Sequence, residues 1–345
     1  MSKERMKERG KLKPLGTHTA IGHLHELEKW KEVPYLKDNE GMLPPFMMVV
    51  GSRVRVKKAV EVLGIKNHIF LDEEALARCG LEAYGRISML IGVVEHDGFS
   101  VPVSVIETQM GCPATQINLK EALYFTKEDG YILEGREIKS NGIYVVRAGT
   151  CGGVNSFSPS KAKVSIGDIV IANESYGFIG AIMQSTLSKL SFAGINLTDA
   201  VVGNQGISVS NDRRYLKTEC SKELIEYLKK AAKTLGLKNI IVGPNFTKDS
   251  LYAEMGEEEF AKLRDVYGIV STEMEGMMID VVASEFGRQG IAVHSGLVLA
   301  AVGAIPGKSF AETEEEKEAA GKAENNALRI AARAFAEIVK SLNRN

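Results

Sequence analysis

The stretch IYVVRAGTCGG, residues 143–153, decides how this chain is read. It opens as a short β-branched apolar run of the kind that fills a buried strand, then sets an arginine and a threonine hydroxyl among glycines. Glycines let backbone N–H groups approach a ligand closely, and α/β sheets bind their ligands beyond the carboxyl ends of the strands. Similar apolar runs recur outward from it: FMMVVG at 46–51, VPVSVIET at 101–108, DIVIAN at 168–173, NIIVG at 239–243 and GIAVHSGLVLAAV at 290–302. Between several of them lie RVKKAVEVLG, ATQINLKEALYF, SKELIEYLKKAAKTLG and MEGMMIDVVASEFG, with apolar residues at helical spacing. The alternation predicts an α/β fold with a central mixed, largely parallel sheet flanked by helices.

Composition narrows the function. The 345 residues carry 43 Lys and Arg against 44 Asp and Glu, a net charge of −1 that gives no electrostatic case for a nucleic-acid binder or a membrane-surface protein. The four cysteines (Cys79, Cys112, Cys151, Cys220) form no C-x-x-C pair and have no histidine at ligand spacing, so neither a metal site nor a disulfide framework is expected. That usage suits a reducing, cytoplasmic compartment, and no stretch approaches the roughly 18 apolar residues that would span a membrane.

Residues 1–45 are polar, broken by Pro14, Pro34, Pro44 and Pro45, and carry His18, His23 and His25; they read as an arm preceding one domain over 46–345. The segment 173–211, rich in Ser, Gly and Asn, reads as an excursion near the site. The closing stretch EEEKEAAGKAENNALRIAARAFAEIVKSL reads as a helix whose role is packing.

Polar groups do follow the apolar runs. After MMVV comes Gly51-Ser52-Arg53-Val54-Arg55, and after VSVIET comes Gln109-Met110-Gly111-Cys112-Pro113, where the proline can begin a helix. With Arg147 and Thr150, two of the three glycine turns bear arginine, which points to an anion site and to phosphate in particular. There is no G-x-x-x-x-G-K-[ST], and GTCGGV lacks the spacing of a dinucleotide fingerprint. The last constellation is Ser271-Thr272-Glu273-Met274-Glu275-Gly276. One reading makes Thr272 a helix cap with acidic residues in the first turn. The other turns Glu275 toward the ligand, where it can accept hydrogen bonds from two sugar hydroxyls over an apolar wall supplied by Met274.

Gly51 to Arg55, Met110-Gly-Cys-Pro-Ala, Arg147-Ala-Gly-Thr-Cys-Gly-Gly and Glu273-Met-Glu-Gly stand in an order and spacing that resembles the nucleoside phosphorylase family, which includes uridine phosphorylase and the hexameric bacterial purine nucleoside phosphorylases. The resemblance spans residues 45–340 and implies the fold of that family. It also implies inorganic phosphate as co-substrate, with no cofactor, held by Gly51, Arg55, Arg147 and Thr150. Arg86 would reach over from a neighbouring subunit of a homodimer or trimer of dimers with shared sites. Met274 and Glu275, with Glu273 beside them, match the ribose-binding element, so Arg147 and Glu275 would carry catalysis. A partner residue at the ribose 5′ hydroxyl has three readings: Tyr35, one of the arm histidines, or no contact.

For the base, the purine enzymes' S-D motif on the last strand falls at Val298, and the uridine enzymes' G-Q-x-R element is absent after Leu251-Tyr252. Leu251, Tyr252 and Val298 are then the base-binding candidates, closer to the uridine type. A purine or broad-specificity phosphorylase, a nucleosidase and a noncatalytic nucleoside binder are the alternatives. Arg55 and Arg147 together favour phosphorolysis over hydrolysis.

Overall fold

Strand β1 (Phe46–Val50) sends Phe46, Met48 and Val50 into one hydrophobic core and Met47 and Val49 into a second. This is the period-two alternation of a strand buried on both faces, and it places β1 at the centre of a sheet. The computed structural model describes residues 19, 21, 33–78, 80, 86–177, 207–209, 215–249, 256–308 and 310–343. The sheet order is β2 (Lys66–Leu71), β3 (Met89–His96), β4 (Phe99–Glu107), β1, β7 (Ile143–Val154), β12 (Ser271–Glu273), β11 (Ile240–Thr247), β8 (Ile169–Gly177), β10 (Leu216–Glu219) and β9 (Ile207–Val209). A further strand, β13 (Val293–Ile305), runs parallel to β7 and antiparallel to β8. β7, β12, β11, β8 and β13 therefore close a circuit. The hairpin of β5 (Tyr131–Leu133) and β6 (Arg136–Ile138) stands apart.

The expected mixed sheet is present. Parallel pairing holds its centre, joining β1 to β4 and β7, while β2–β3–β4 and β8–β10–β9 are antiparallel at the edges. Helices α2 (Arg53–Leu63), α5 (Lys222–Thr234) and α8 (Glu314–Leu342) bury residues in the first core. Helices α1 (Pro34–Asp38), α3 (Glu73–Ala77), α4 (Cys112–Tyr124) and α7 (Gly276–Arg288) bury theirs in the second. Helix α6 (Glu257–Tyr267) covers a smaller cluster with Phe246 and Ile269. Among the described residues, no helix is long and apolar enough to cross a membrane.

Two expectations change. The arm reading of residues 1–45 ends at the latest at Pro34, because Tyr35, Leu36 and Leu43 are buried in the second core. Apolar side chains spaced among prolines look like a broken arm in sequence, yet they supply core contacts once α1 turns them inward. Thr19, earlier still, is buried and donates from its N–H (2.9 Å) and hydroxyl (2.6 Å) to Glu121 on α4. His18, His23 and His25 lie outside the described residues, as does most of the 173–211 excursion, of which Asn173–Gly177 belong to β8. The final helix does pack, through Leu328, Ile330, Phe335 and Ile338, and starts at a capping box between Thr313 and Glu316. Its charged half has a second task, described below.

Candidate active site

A cavity of about 570 Å³ opens where β1, β11 and β12 end and where β7 and β13 run past them. It brings together Gly51, Arg55, Arg147, Thr150, Glu273, Met274 and Glu275, residues scattered over more than two hundred positions of sequence. Gly51 and Arg55 come from the turn after β1 and the first turn of α2, and Arg147 and Thr150 from the body of β7. The R-x-G spacing has a steric cause. Residues two apart on a strand share a face, and a Cβ at Gly149 would stand 2.9 Å from Arg147 Nε and 3.0 Å from its Cζ. Only glycine there leaves room for the guanidinium to lie along its own strand.

The STEMEG segment is a short strand, not a capped helix start: Ser271–Glu273 form β12, and Glu275 occupies the N-cap position of α7 without a side-chain cap bond. Thr272 is therefore not the cap. Glu273 does that work instead. Its Oε2 accepts from the N–H of Glu275 and of Gly276, both at 2.8 Å, and its Oε1 accepts from Asn245 Nδ2 and Thr247 Oγ1, both at 2.7 Å. A carboxylate so fully engaged fastens β11 to the start of α7 and is not presented to a ligand. A Cβ at Gly276 would meet Leu297 Cδ2 at 2.4 Å, so a larger residue at this helix start would push the Leu297 side chain aside.

Glu275 is held from two sides. Its Oε1 accepts from the Gly111 N–H at 2.8 Å, and its Oε2 accepts from Arg147 Nη2. Burial pushes the Glu275 carboxyl above its ordinary range, Arg147 pulls it back down, and the nearby Glu273 carboxylate raises it. Arg147 Nε also lies 3.3 Å from Glu273 Oε2, while its buried Nη1 has no hydrogen-bond partner among the described residues. An unmet buried donor costs on the order of 1–3 kcal/mol, which an anion in the cavity would recover. Arg55 completes this end: its Nη2 lies 3.4 Å from Thr150 Oγ1 and 3.2 Å from Glu324 Oε1 on α8.

The other expected residues lie elsewhere. Val298 is fully buried in the sheet, paired with Ala148 and Ile171, and β13 meets the cavity only at Val302 and Ile305. Placing the purine enzymes' motif by counting along the chain lands mid-strand because β13 runs thirteen residues. Leu251 and Tyr252 lie outside the described residues. Arg86 is exposed, does not line this chain's cavity, and accepts from Gln109 Nε2 at its carbonyl, 2.8 Å away. Tyr35 is buried with its hydroxyl donating to the Asn67 carbonyl at 2.6 Å, which removes it as a residue offered to a neighbour. Sequence reasoning missed Glu324, Lys248, Glu257, Phe260 and Phe310. None stands in a glycine turn, though Lys248 directly follows the apolar β11.

The model of the Phosphorylase superfamily matches residues 85–336. The DeoD-type purine nucleoside phosphorylase of Oceanobacillus iheyensis is 24% identical over 191 residues, 55% of this chain and 61% of that protein. That of Listeria welshimeri is 26% identical over the same shares. The match thus spans about three fifths of the length of these curated relatives. Among solved structures, a purine nucleoside phosphorylase from Toxoplasma gondii bound to immucillin-H has a TM-score of 0.54 at 18% identity, covering 87% of this chain and 93% of its own. A Trypanosoma brucei nucleoside phosphorylase described as showing uridine phosphorylase activity has a TM-score of 0.59 at 14% identity, covering 86% and 94%. A uridine phosphorylase from Vibrio fischeri ES114 has a TM-score of 0.55 at 17% identity, covering 88% and 93%. At these identities the structures establish the shared fold.

Proposed function

The chain belongs to the phosphorylase superfamily, and on that premise we propose that it cleaves a nucleoside with inorganic phosphate, giving free base and (deoxy)ribose 1-phosphate, with uridine-type nucleosides preferred. The observation that carries the reading is the placement of Arg147, which joins an anion-binding end with Arg55 and Thr150 to a carboxylate end with Glu275 inside one cavity. Breaking a glycosidic bond leaves positive charge on the sugar ring. Phosphate held under the anomeric carbon stabilises that charge and captures it. Gly51, Arg55, Arg147 and Thr150 hold the nucleophile, while Glu275 takes the 2′ and 3′ hydroxyls over Met274. Glu275 turns from Arg147 to the sugar as phosphate takes over the guanidinium.

The uridine preference is supported by β13, which offers the cavity only the apolar Val302 and Ile305. One observation favours a purine or broad substrate range: the curated relatives cited are purine enzymes. We place the reaction in cytoplasmic nucleoside salvage, with no cofactor beyond phosphate, by a homodimer or trimer of dimers. The exposed Arg86 then completes a neighbour's phosphate site.

The test is base release from uridine, thymidine, inosine and adenosine with and without phosphate. Release from uridine only with phosphate is expected. Release without phosphate would make the protein a nucleosidase, and none from any nucleoside would make it a binder. Mixing Arg86→Ala with Arg147→Ala subunits restores part of the activity if sites are shared. No recovery after proven subunit exchange removes Arg86 from the site.

A further inference from the structure

With phosphate and ribose assigned as above, the cavity retains two charged side chains for the base among the described residues, Lys248 and Glu257. They stand apart from the arginine end. Lys248 follows β11 directly, and its N–H donates to the Glu273 carbonyl at 2.9 Å, so its backbone is fixed to the strand that precedes Met274 and Glu275. Its Nζ lies 5.8 Å over the ring centre of Phe260, which is buried at the base of α6. Glu257, exposed in the first turn of α6, accepts from the Gly307 N–H at 3.3 Å. A carboxylate is only an acceptor, so of the two it is the lysine that carries a proton to give. The rest of this end is apolar: Phe260, Val302, Ile305 and Phe310.

We infer that Lys248 is the residue that stabilises and protonates the departing base, which makes this cavity selective for nucleosides whose base leaves with negative charge on a ring acceptor. The inference rests on the phosphorolytic reading above. In the step, the C1′–N bond breaks with its electron pair remaining on the base, and a phosphate oxygen forms the new C1′–O bond. A carbonyl oxygen or ring nitrogen of the base takes the proton of Lys248 Nζ, and the neutral amine regains a proton from water after the products leave. Half-burial lowers the pKa of the Lys248 ammonium by removing it from water, the direction that makes a lysine a better donor near neutral pH. The aromatic face of Phe260 lies within cation–π reach of the ammonium.

The experiment compares substrates that need a proton with substrates that do not. Uridine is paired with 5-fluorouridine, whose base is the better leaving group, and inosine with 7-methylinosine, whose base departs as a neutral molecule without protonation. In Lys248→Met, phosphate-dependent turnover of uridine or inosine is expected to fall about 100-fold, the scale of general acid catalysis, while the activated partner falls less than about tenfold. Lys248→Arg, which keeps the charge, recovers part of the loss. Equal losses on both members of a pair would overturn the role of Lys248 and leave phosphorolysis standing. No phosphate-dependent release by the unmodified protein would overturn both readings. Should Lys248→Met fail to fold, the unmodified protein still decides: a uridine rate within about threefold of the 5-fluorouridine rate supports an internal donor, and a steep difference overturns it.

Discussion

The two ends of the cavity are built differently. At the phosphate and ribose end, Arg147, Glu273 and Glu275 are all buried and tied to one another and to the backbone of Gly111 and Gly276. At the base end, Lys248 is partly buried, Glu257 is exposed, and Phe310 is 55% exposed. Groups that the reaction requires for every substrate are thus locked into the sheet, where altering one disturbs the fold. Groups that choose among bases stand on the rim of helix and loop, where they can change at little cost to stability. The contrast should appear as a gradient: substitutions at the closed end lower both activity and stability, and those at the open end alter substrate binding, turnover or selectivity while leaving stability nearly unchanged.

The strongest test of the closed end is Arg147→Ala. It removes the anion-holding guanidinium and leaves Glu275 buried without its cation, the situation in which breaking an ion pair costs about 3–5 kcal/mol. Turnover should fall by on the order of 10²–10³ or more. Urea unfolding and phosphate saturation are the measurements. A fully stable variant with reduced activity would show that the pair serves catalysis without supporting the fold.

Asp280, further along α7, sharpens the point by having no cation among its described partners. It is buried and accepts from Thr218 Oγ1 and Ser295 Oγ, both at 2.8 Å, and burial pushes its carboxyl up from 3.8 to about 6. The fold therefore favours the protonated form. The contribution of Asp280 to stability is full below about pH 4 and is lost as pH rises through 6, at a cost of roughly 3 kcal/mol by neutral pH. Relative to Asp280→Asn, the parent should lose about 2 kcal/mol of this between pH 4.5 and 7.5 in urea titrations. Parallel pH profiles for the two proteins would mean that the carboxyl is not held protonated.

The same division separates what sequence revealed from what it hid. Arg147, Thr150, Gly51 and Arg55 were legible because each follows or sits within an apolar run, and the Gly149 spacing has a steric cause that leaves a mark in the sequence. Glu275 was legible as chemistry, but Glu273 was not legible as a fastener, since its four partners come from β11 and the helix start. Glu324 looks like one more acid on a solvated helix face, and only the packing of α8 against α2 brings it to Arg55. Val298 misled because counting along a chain cannot say how far β13 runs before it leaves the sheet. Core membership of Tyr35 and Leu36 was hidden by the prolines around them.

A milder effect is expected at the junction of the two regimes. Glu324 Oε1 lies 3.2 Å from Arg55 Nη2 and its Oε2 lies 3.8 Å from Lys58 Nζ, with side chains about a quarter exposed at Glu324 and Arg55. Glu324→Gln keeps an acceptor for Arg55 but removes a negative charge that opposes phosphate. The KM for phosphate should fall about fivefold, with stability changed by less than about 1 kcal/mol because the pair is partly solvated. A rise in that KM would show that the carboxylate orients Arg55 more than it competes for it.

The smallest effect belongs to Phe310. Its ring lines the cavity mouth yet stays 55% exposed, so little of it has been taken from water by folding, and removing it opens no void in a core. Phe310→Ala should leave stability within about 0.5 kcal/mol, the range of ordinary surface substitutions. A bound base does cover part of the ring, and losing a modest apolar contact weakens nucleoside binding by about threefold while the KM for phosphate stays fixed. Steady-state kinetics with each substrate varied in turn separates the two constants. A parallel rise in both would mean that the open end is coupled to the arginines. A stability loss above about 1 kcal/mol would mean that Phe310 is packed as a core residue. Either result breaks the division between a locked reacting end and an adjustable base end.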